Sequence, residues 1–329
     1  MSGRRRVLGC LACLLGCSPA PQGTPTERIT IPPGATFAAI TDTLVQRGIL
    51  ESPQWFRLVA RASQGDRRIK SGSYDLPRGA SAWWILRTLQ TGRSVLTRFT
   101  VPEGVTLVEV AQLAEAQLGI PPDSFLVAAR DPGLLRLHNV PGSSFEGFLR
   151  PETYFVPLTV SGRDLVRQMA AAFQSAWDTT WDAAAAAHGL SRVGFVTLAS
   201  IVEGEARVAD ERPVIAAVYL NRLRIGMPLQ ADPTVQYAIQ LRTGARKTRL
   251  LLKDYDLDSP YNTYQIAGLP PGPVGLPGQA ALEAVAAPAE VPWLFFVAGD
   301  SGRHVFTRNY ADHLRAIRRI RGGGTGNRE

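Results

Sequence analysis

Two carboxylates one residue apart, Glu203 and Glu205, close an otherwise apolar run, Leu-Ala-Ser-Ile-Val-Glu-Gly-Glu-Ala at 198–206. An acid held against apolar surroundings keeps its proton toward neutral pH and can act as a general acid. At about 100° per residue, a helical wheel over 195–206 gathers Phe195, Leu198, Ala199, Val202 and Ala206 on one face. Glu203 falls on one edge of that face, near Val196, and Glu205 on the opposite edge, near Leu198 and Ile201, roughly 200° away. Carboxylates so placed do not serve one pocket as a pair, so any chemistry rests on one of them, with Gly204 leaving the helix surface bare beside it. The structural alternative pairs Glu203 with Arg207 at i+4, an interaction of about 0.2–0.5 kcal/mol.

Other stretches offer the walls of a carbohydrate cleft. Phe145-Glu146-Gly147-Phe148-Leu149-Arg150-Pro151-Glu152-Thr153-Tyr154 alternates aromatic rings with acids in an irregular segment. Flat rings suit sugar faces and carboxylates suit hydroxyls. Leu229-Gln230-Ala231-Asp232-Pro233 reads as a loop into a helix, with Asp232 as N-cap and Pro233 in the first turn. Ser259-Pro260-Tyr261-Asn262-Thr263-Tyr264 opens a Pro- and Gly-stiffened loop that runs to Pro273. The four histidines, at 138, 188, 304 and 313, make no HExxH spacing. A zinc hydrolase is therefore not expected, and neither metal nor cofactor is assigned. The sequence carries no P-loop, dinucleotide fingerprint or G-x-S-x-G elbow.

The elements that must position these residues follow from caps and periodicity. Ile29-Thr30-Ile31-Pro32-Pro33-Gly34-Ala35-Thr36-Phe37 and Phe99-Thr100-Val101-Pro102-Glu103-Gly104-Val105-Thr106-Leu107 repeat one pattern, a strand, a Gly turn and a Thr N-cap. Each leads into an amphipathic helix, over 37–47 and 107–118, closed by Gly48 and Gly119. Between the copies, Ser52-Pro53 opens a helix through Ala62, 69–76 is strand-like, and Ser81 caps a helix holding Trp83 and Trp84. A long helix is expected over 163–188. Asp210 is expected to cap another, lined on one face by Val214, Val218 and Ile225, with Asn221 on that face in a structural role. A hairpin is expected over 293–298 and 304–307, followed by a helix capped by Asn309.

The chain has 329 residues, 45% hydrophobic, enough for two or three domains. Its net charge of +8 comes almost wholly from arginine and suits an anionic polymer. No zinc finger, RNA-binding aromatic signature or concentrated basic stripe points to nucleic acid, which is not expected as a partner. Arg4-Arg5-Arg6 precedes a short apolar run ending Leu14-Leu15-Gly16-Cys17, the form of an export signal with a bacterial lipobox at Cys17. All three cysteines lie in this leader, so no disulfide framework is expected.

Taken together and in order, the motifs at 145–149, 198–206, 221–223, 229–237, 261–273 and 293–304 resemble the endolytic murein transglycosylase (YceG-like) family over about residues 28–318. The resemblance implies cleavage inside peptidoglycan glycan strands between N-acetylmuramic acid and N-acetylglucosamine, leaving 1,6-anhydro ends. It places the family's catalytic glutamate at Glu203, and makes Gln230, Asp232, Tyr261, Asn262, Tyr264, His304 and Glu146 substrate-binding candidates. A lone acid suits this chemistry, because the sugar's own C6 hydroxyl replaces the second carboxylate of ordinary glycosidases.

The expected fold is α+β: a signal or anchor over 1–17, a linker over 18–26, and a small LysM-like module over 27–97. A catalytic region with a single-glutamate cleft follows over 98–320, its core about 189–320, and then a disordered tail over 321–329. The protein is expected in the bacterial cell envelope on the periplasmic side, held at the membrane by its N-terminal anchor. Two features depart from the family pattern: a lipoprotein-type leader in place of a membrane helix, and Arg150 where an apolar residue is common. Two other readings stand beside the enzyme. One is a non-catalytic wall-binding lipoprotein with peptidoglycan synthases as partners. The other is a hydrolytic muramidase whose second carboxylate is Glu146, Glu152 or Asp232.

Overall fold

The computed structural model describes residues 24–323 apart from 93, 300 and 301, so the leader, Cys17 and residues 324–329 lie outside the described residues. Among the described residues no single helix is long and apolar enough to cross a membrane. The protein is α+β, and its described residues fall into two compact units.

The first unit holds residues 24–97 with 155–159. Strand β1 (Thr26–Ile31) pairs antiparallel with β2 (Gly72–Pro77), with Ile29 opposite Tyr74. Helices α1 (Phe37–Gln46), α2 (Pro53–Ala62) and α3 (Ala82–Thr91) begin at Thr36, Ser52 and Ser81, whose hydroxyls accept the Ala39, Trp55 and Trp84 N–H. β2 starts three residues later than expected; before it, the Lys70 N–H donates to the Leu89 carbonyl rather than to β1, and the Lys70 carbonyl accepts the Tyr74 hydroxyl. Ile29, Leu44, Ile49, Phe56, Tyr74, Leu76, Ile85 and Leu89 form the core. Trp84 packs against this core, while Trp55 and Trp83 remain exposed.

Strands β3 (Leu96–Thr100) and β4 (Thr153–Pro157) pair, and the boundary between the units falls within them. The second unit continues with α4 (Leu107–Leu118), α5 (Pro122–Ala128), α6 (Pro132–Leu137), α7 (Gly162–Ala176) and α8 (Thr180–Ala187). Next come α9 (Arg192–Glu205), α10 (Arg212–Arg224), α11 (Asp232–Thr243) and α12 (Gln279–Ala286). The hairpin β5 (Phe295–Ala298) and β6 (His304–Thr307) is antiparallel, with Ala298 opposite His304, and α13 (Tyr310–Gly323) closes the described chain. The repeated strand–Gly–Thr pattern has a shared geometry, since Gly34 and Gly104 both take φ +77°. Thr106 and Glu109 complete a capping box on α4.

Three local expectations are corrected. The helix expected over 163–188 is broken at Trp177–Thr179, where the Asp178 carboxylate accepts both the backbone N–H and the hydroxyl of Thr180 and so starts a new helix. Asp210 does not cap α10; it lies in a short 3-10 turn (Ala209–Glu211) and pairs with Arg303. Ile225 is exposed, because the apolar burial of α10 runs through Ile215, Val218 and Tyr219 instead. Arg150 pairs with Glu152 at 3.0 Å, which accommodates a charge at that position.

α9 organises the second unit. Ser191 caps it, and every residue from Phe195 to Val202 is buried, packed among α8, α10, α11 and α12. A helix apolar on all sides lies inside a core rather than on its surface. The glycine at 204 has a specific cause: a Cβ there would lie 2.7 Å from Pro233 Cγ, so its absence lets the start of α11 meet the end of α9.

Candidate active-site cleft

The close approach at Gly204 brings two helix ends together and opens a cleft of about 460 Å³ beside them. Its walls include Glu205, Arg207, Tyr219, Gln230, Asp232, Tyr264, Phe296 and His304. Glu205 is the last residue of α9, and the Tyr219 hydroxyl from α10 donates to its Oε1 at 3.0 Å. The backbone N–H of Asp232, at the first residue of α11, also hydrogen-bonds this carboxyl. Burial, and next the nearby Asp232 carboxylate, push the Glu205 pKa up to about 7, against the smaller opposing effect of those hydrogen bonds. Glu205 therefore exchanges a proton near neutrality while one of its oxygens is already fixed by Tyr219.

Asp232 does not cap α11 as expected. Its Oδ1 accepts the Tyr264 hydroxyl at 2.8 Å, and Tyr264 in turn rests against Tyr255 at 4.5 Å between ring centroids. Burial pushes the Tyr264 phenol up, which keeps it a donor to Asp232. Gln230 holds a left-handed backbone, φ 50°, fixed by its N–H on the Thr263 carbonyl and by the Ala231 N–H on the Thr263 hydroxyl. Strained backbone over-determined in this way is typical of functional walls. His304 reaches the cleft from the first position of β6, with its ring edge-on to Phe296 at 5.1 Å.

The expected general acid, Glu203, stands elsewhere. Its Oε1 accepts Arg212 Nη2 at 2.9 Å, and its Oε2 accepts the Gly278 N–H at 3.1 Å, with the side chain only 6% exposed. It ties the end of α9 to the first residue of α10 and to the N-cap of α12, and its ion-pair partner is Arg212 rather than Arg207. Glu103 lies next to it. Burial and the Glu203 charge raise the Glu103 pKa, and Arg212 opposes them.

Three further candidates are also placed outside the cleft lining. Glu146 is buried at the start of α4, where it accepts the Leu107 N–H and the Tyr237 hydroxyl, and burial raises its pKa to about 8. Asn262 is fully buried and serves its own loop: its amide donates to the Tyr255 and Leu257 carbonyls, and its Oδ1 accepts the Tyr264 N–H. The Tyr261 ring meets that of Tyr237 at a 58° tilt, with centroids 4.9 Å apart. Of the sequence candidates, Gln230, Asp232, Tyr264 and His304 are brought together, around Glu205. The glutamate lining the cleft is Glu205, and a second carboxylate, Asp232, lies beside it.

Asn221 has the expected structural role, donating to the Val291 and Trp293 carbonyls. Arg222 clamps the Leu229 and Leu294 carbonyls and so joins the loop bearing Gln230 to the hairpin bearing His304. Sequence reasoning missed Tyr219, which holds Glu205, and Glu211, which holds His304. The signal for Tyr219 was its place on the buried face of α10, where a phenol needs a partner.

The YceG-like family model matches residues 29–319, nearly the whole described chain. The chain belongs to this family. A relative from Bacillus subtilis (strain 168), named endolytic murein transglycosylase, is 31% identical over 307 residues, covering 88% of this YceG-like chain and 84% of the relative. A second of that name, from Streptococcus pneumoniae serotype 2, is 30% identical over 317 residues; the match spans 88% of this chain and 57% of that protein. The crystal structure of a YceG-like protein from Listeria monocytogenes has a TM-score of 0.61 and 27% identity, covering 88% of this chain and 98% of that one.

Proposed function

We propose that this YceG-like chain is a lytic transglycosylase of peptidoglycan, with Glu205 as general acid and then general base. The observation that carries the reading is one carboxyl near neutrality in a polar cleft, beside Gln230, Asp232, Tyr264 and His304. The names of the relatives supply the substrate class. Protonated Glu205 donates to the oxygen leaving C1 of the muramyl residue. The resulting carboxylate takes the proton of that sugar's C6 hydroxyl as the oxygen closes on C1, giving a 1,6-anhydro end. A nucleophile tethered to the same ring needs no second protein carboxylate to activate it. Asp232 adds by like charge to the rise that burial gives the Glu205 proton affinity, and serves as the negative charge facing the positive charge that develops at C1. A hydrolytic muramidase is the second reading, favoured by Asp232 lining the same cleft.

A pH–rate profile separates these roles. Because the protonated acid is the active form, kcat/KM on purified glycan strands is expected to fall as pH rises through about 7. Asp232→Asn removes a like charge, so the same limb is expected at lower pH with cleavage retained. Complete loss of activity in Asp232→Asn would instead assign Asp232 the base or nucleophile role of a muramidase.

The first unit, with its β-α-α-β-α order and exposed Trp55 and Trp83, is read as a LysM-like glycan-binding module. Anchoring at the envelope membrane through a lipidated Cys17 completes the proposal.

A further inference from the structure

Glu211 was not a candidate in the sequence, yet it is almost fully enclosed and its whole carboxylate is turned on His304. Its Oε1 accepts the His304 backbone N–H at 2.9 Å, and its Oε2 lies 2.7 Å from His304 Nδ1. Both side chains are 5% exposed. Arg303 Nε stands 3.7 Å from Oε1 and supports the negative charge. An ionised carboxylate only accepts hydrogen bonds, so Nδ1 must carry the proton. With Nδ1 so occupied, the neutral form of the ring is the tautomer whose bare nitrogen is Nε2, on the side away from Glu211. His304 is a wall of the Glu205 cleft, and the edge-on contacts of Phe296 with both His304 and Tyr219 link its ring to the group that holds Glu205.

We propose that Glu211 is a positioning residue that fixes the tautomer and plane of His304, so that His304 Nε2 accepts a hydrogen bond from a hydroxyl of the glycan bound in the Glu205 cleft. The proposal rests on that cleft being the glycan site. A carboxylate behind an imidazole is a common way to set which ring nitrogen faces a ligand. Here it gives the cleft an acceptor beside its donors, as recognition of sugar hydroxyls requires.

The test is ¹⁵N NMR of the histidine rings of the full chain, combined with binding of purified, uncrosslinked glycan strands to Glu205→Gln protein. Wild type is expected to show His304 with Nδ1 protonated and Nε2 bare. In Glu211→Gln the amide offers a donor to Nδ1, so the protonation pattern is expected to reverse. Adding Glu211→Gln or His304→Ala to Glu205→Gln is expected to weaken glycan binding by about 10-fold, the scale of one lost hydrogen bond. Adding both is expected to weaken it no further. A wild-type ring protonated at Nε2, unchanged binding, or fully additive losses would each overturn the proposal. The wild-type spectrum needs neither turnover nor a folded variant, so it is read even if Glu205 proves not to be the acid.

Discussion

Glu205→Gln is expected to lower cleavage of purified glycan strands by at least ~100-fold, the scale of a lost general acid. The amide oxygen still accepts the Tyr219 hydroxyl, so the side chain stays held in the cleft while losing the proton it must give and take back. The fold is expected to survive, since the change leaves no cavity and no bare charge. Glu203→Gln serves as the matched control. Its carboxylate is engaged by Arg212 and Gly278, outside the cleft lining, so its folded protein is expected to cleave within a few-fold of wild type. Rates from stopped digests with both variants, at equal folded concentration, decide between the two glutamates. A dead Glu203→Gln beside an active Glu205→Gln would reverse the assignment.

The largest expected stability effect lies at the same helix end. Glu203→Ala leaves Arg212 as a charge only 15% exposed without the carboxylate it pairs with, and leaves the Gly278 N–H without its acceptor. Breaking one side of a buried pair costs about 3–5 kcal/mol, and the lower end applies where one partner keeps some contact with water. Urea denaturation of Glu203→Ala is expected to show a loss of about 3 kcal/mol, with Glu203→Gln falling between it and wild type. An unchanged midpoint for Glu203→Ala would remove Glu203 from the structural role given to it here.

These two outcomes bear on what could be read before the structure. Helix starts were legible where a hydroxyl caps a local N–H, as at Thr36, Ser52, Ser81 and Thr106, because a cap is decided within four residues. The choice between Glu203 and Glu205 was not. A wheel separates the two edges of α9, but Phe195 to Val202 are all buried, so periodicity carries no mark of which edge meets solvent. That edge is set by partners distant in sequence: Pro233 against Gly204, Tyr219 on Glu205, and Arg212 with Gly278 on Glu203. Asp232 misled for a similar reason. Its position is that of a cap, yet Tyr264, 32 residues on, claims its side chain. Glu211 gave no local sign at all, because its partner His304 lies 93 residues away.

Mass spectrometry of the ends released from purified glycan strands tests the central claim most directly. Wild type is expected to yield chains ending in 1,6-anhydro-N-acetylmuramic acid, each lighter by one water than a hydrolytic product, and Glu205→Gln to yield none above background. Reducing N-acetylmuramic acid ends from wild type, or anhydro ends from Glu205→Gln at the wild-type rate, would contradict it.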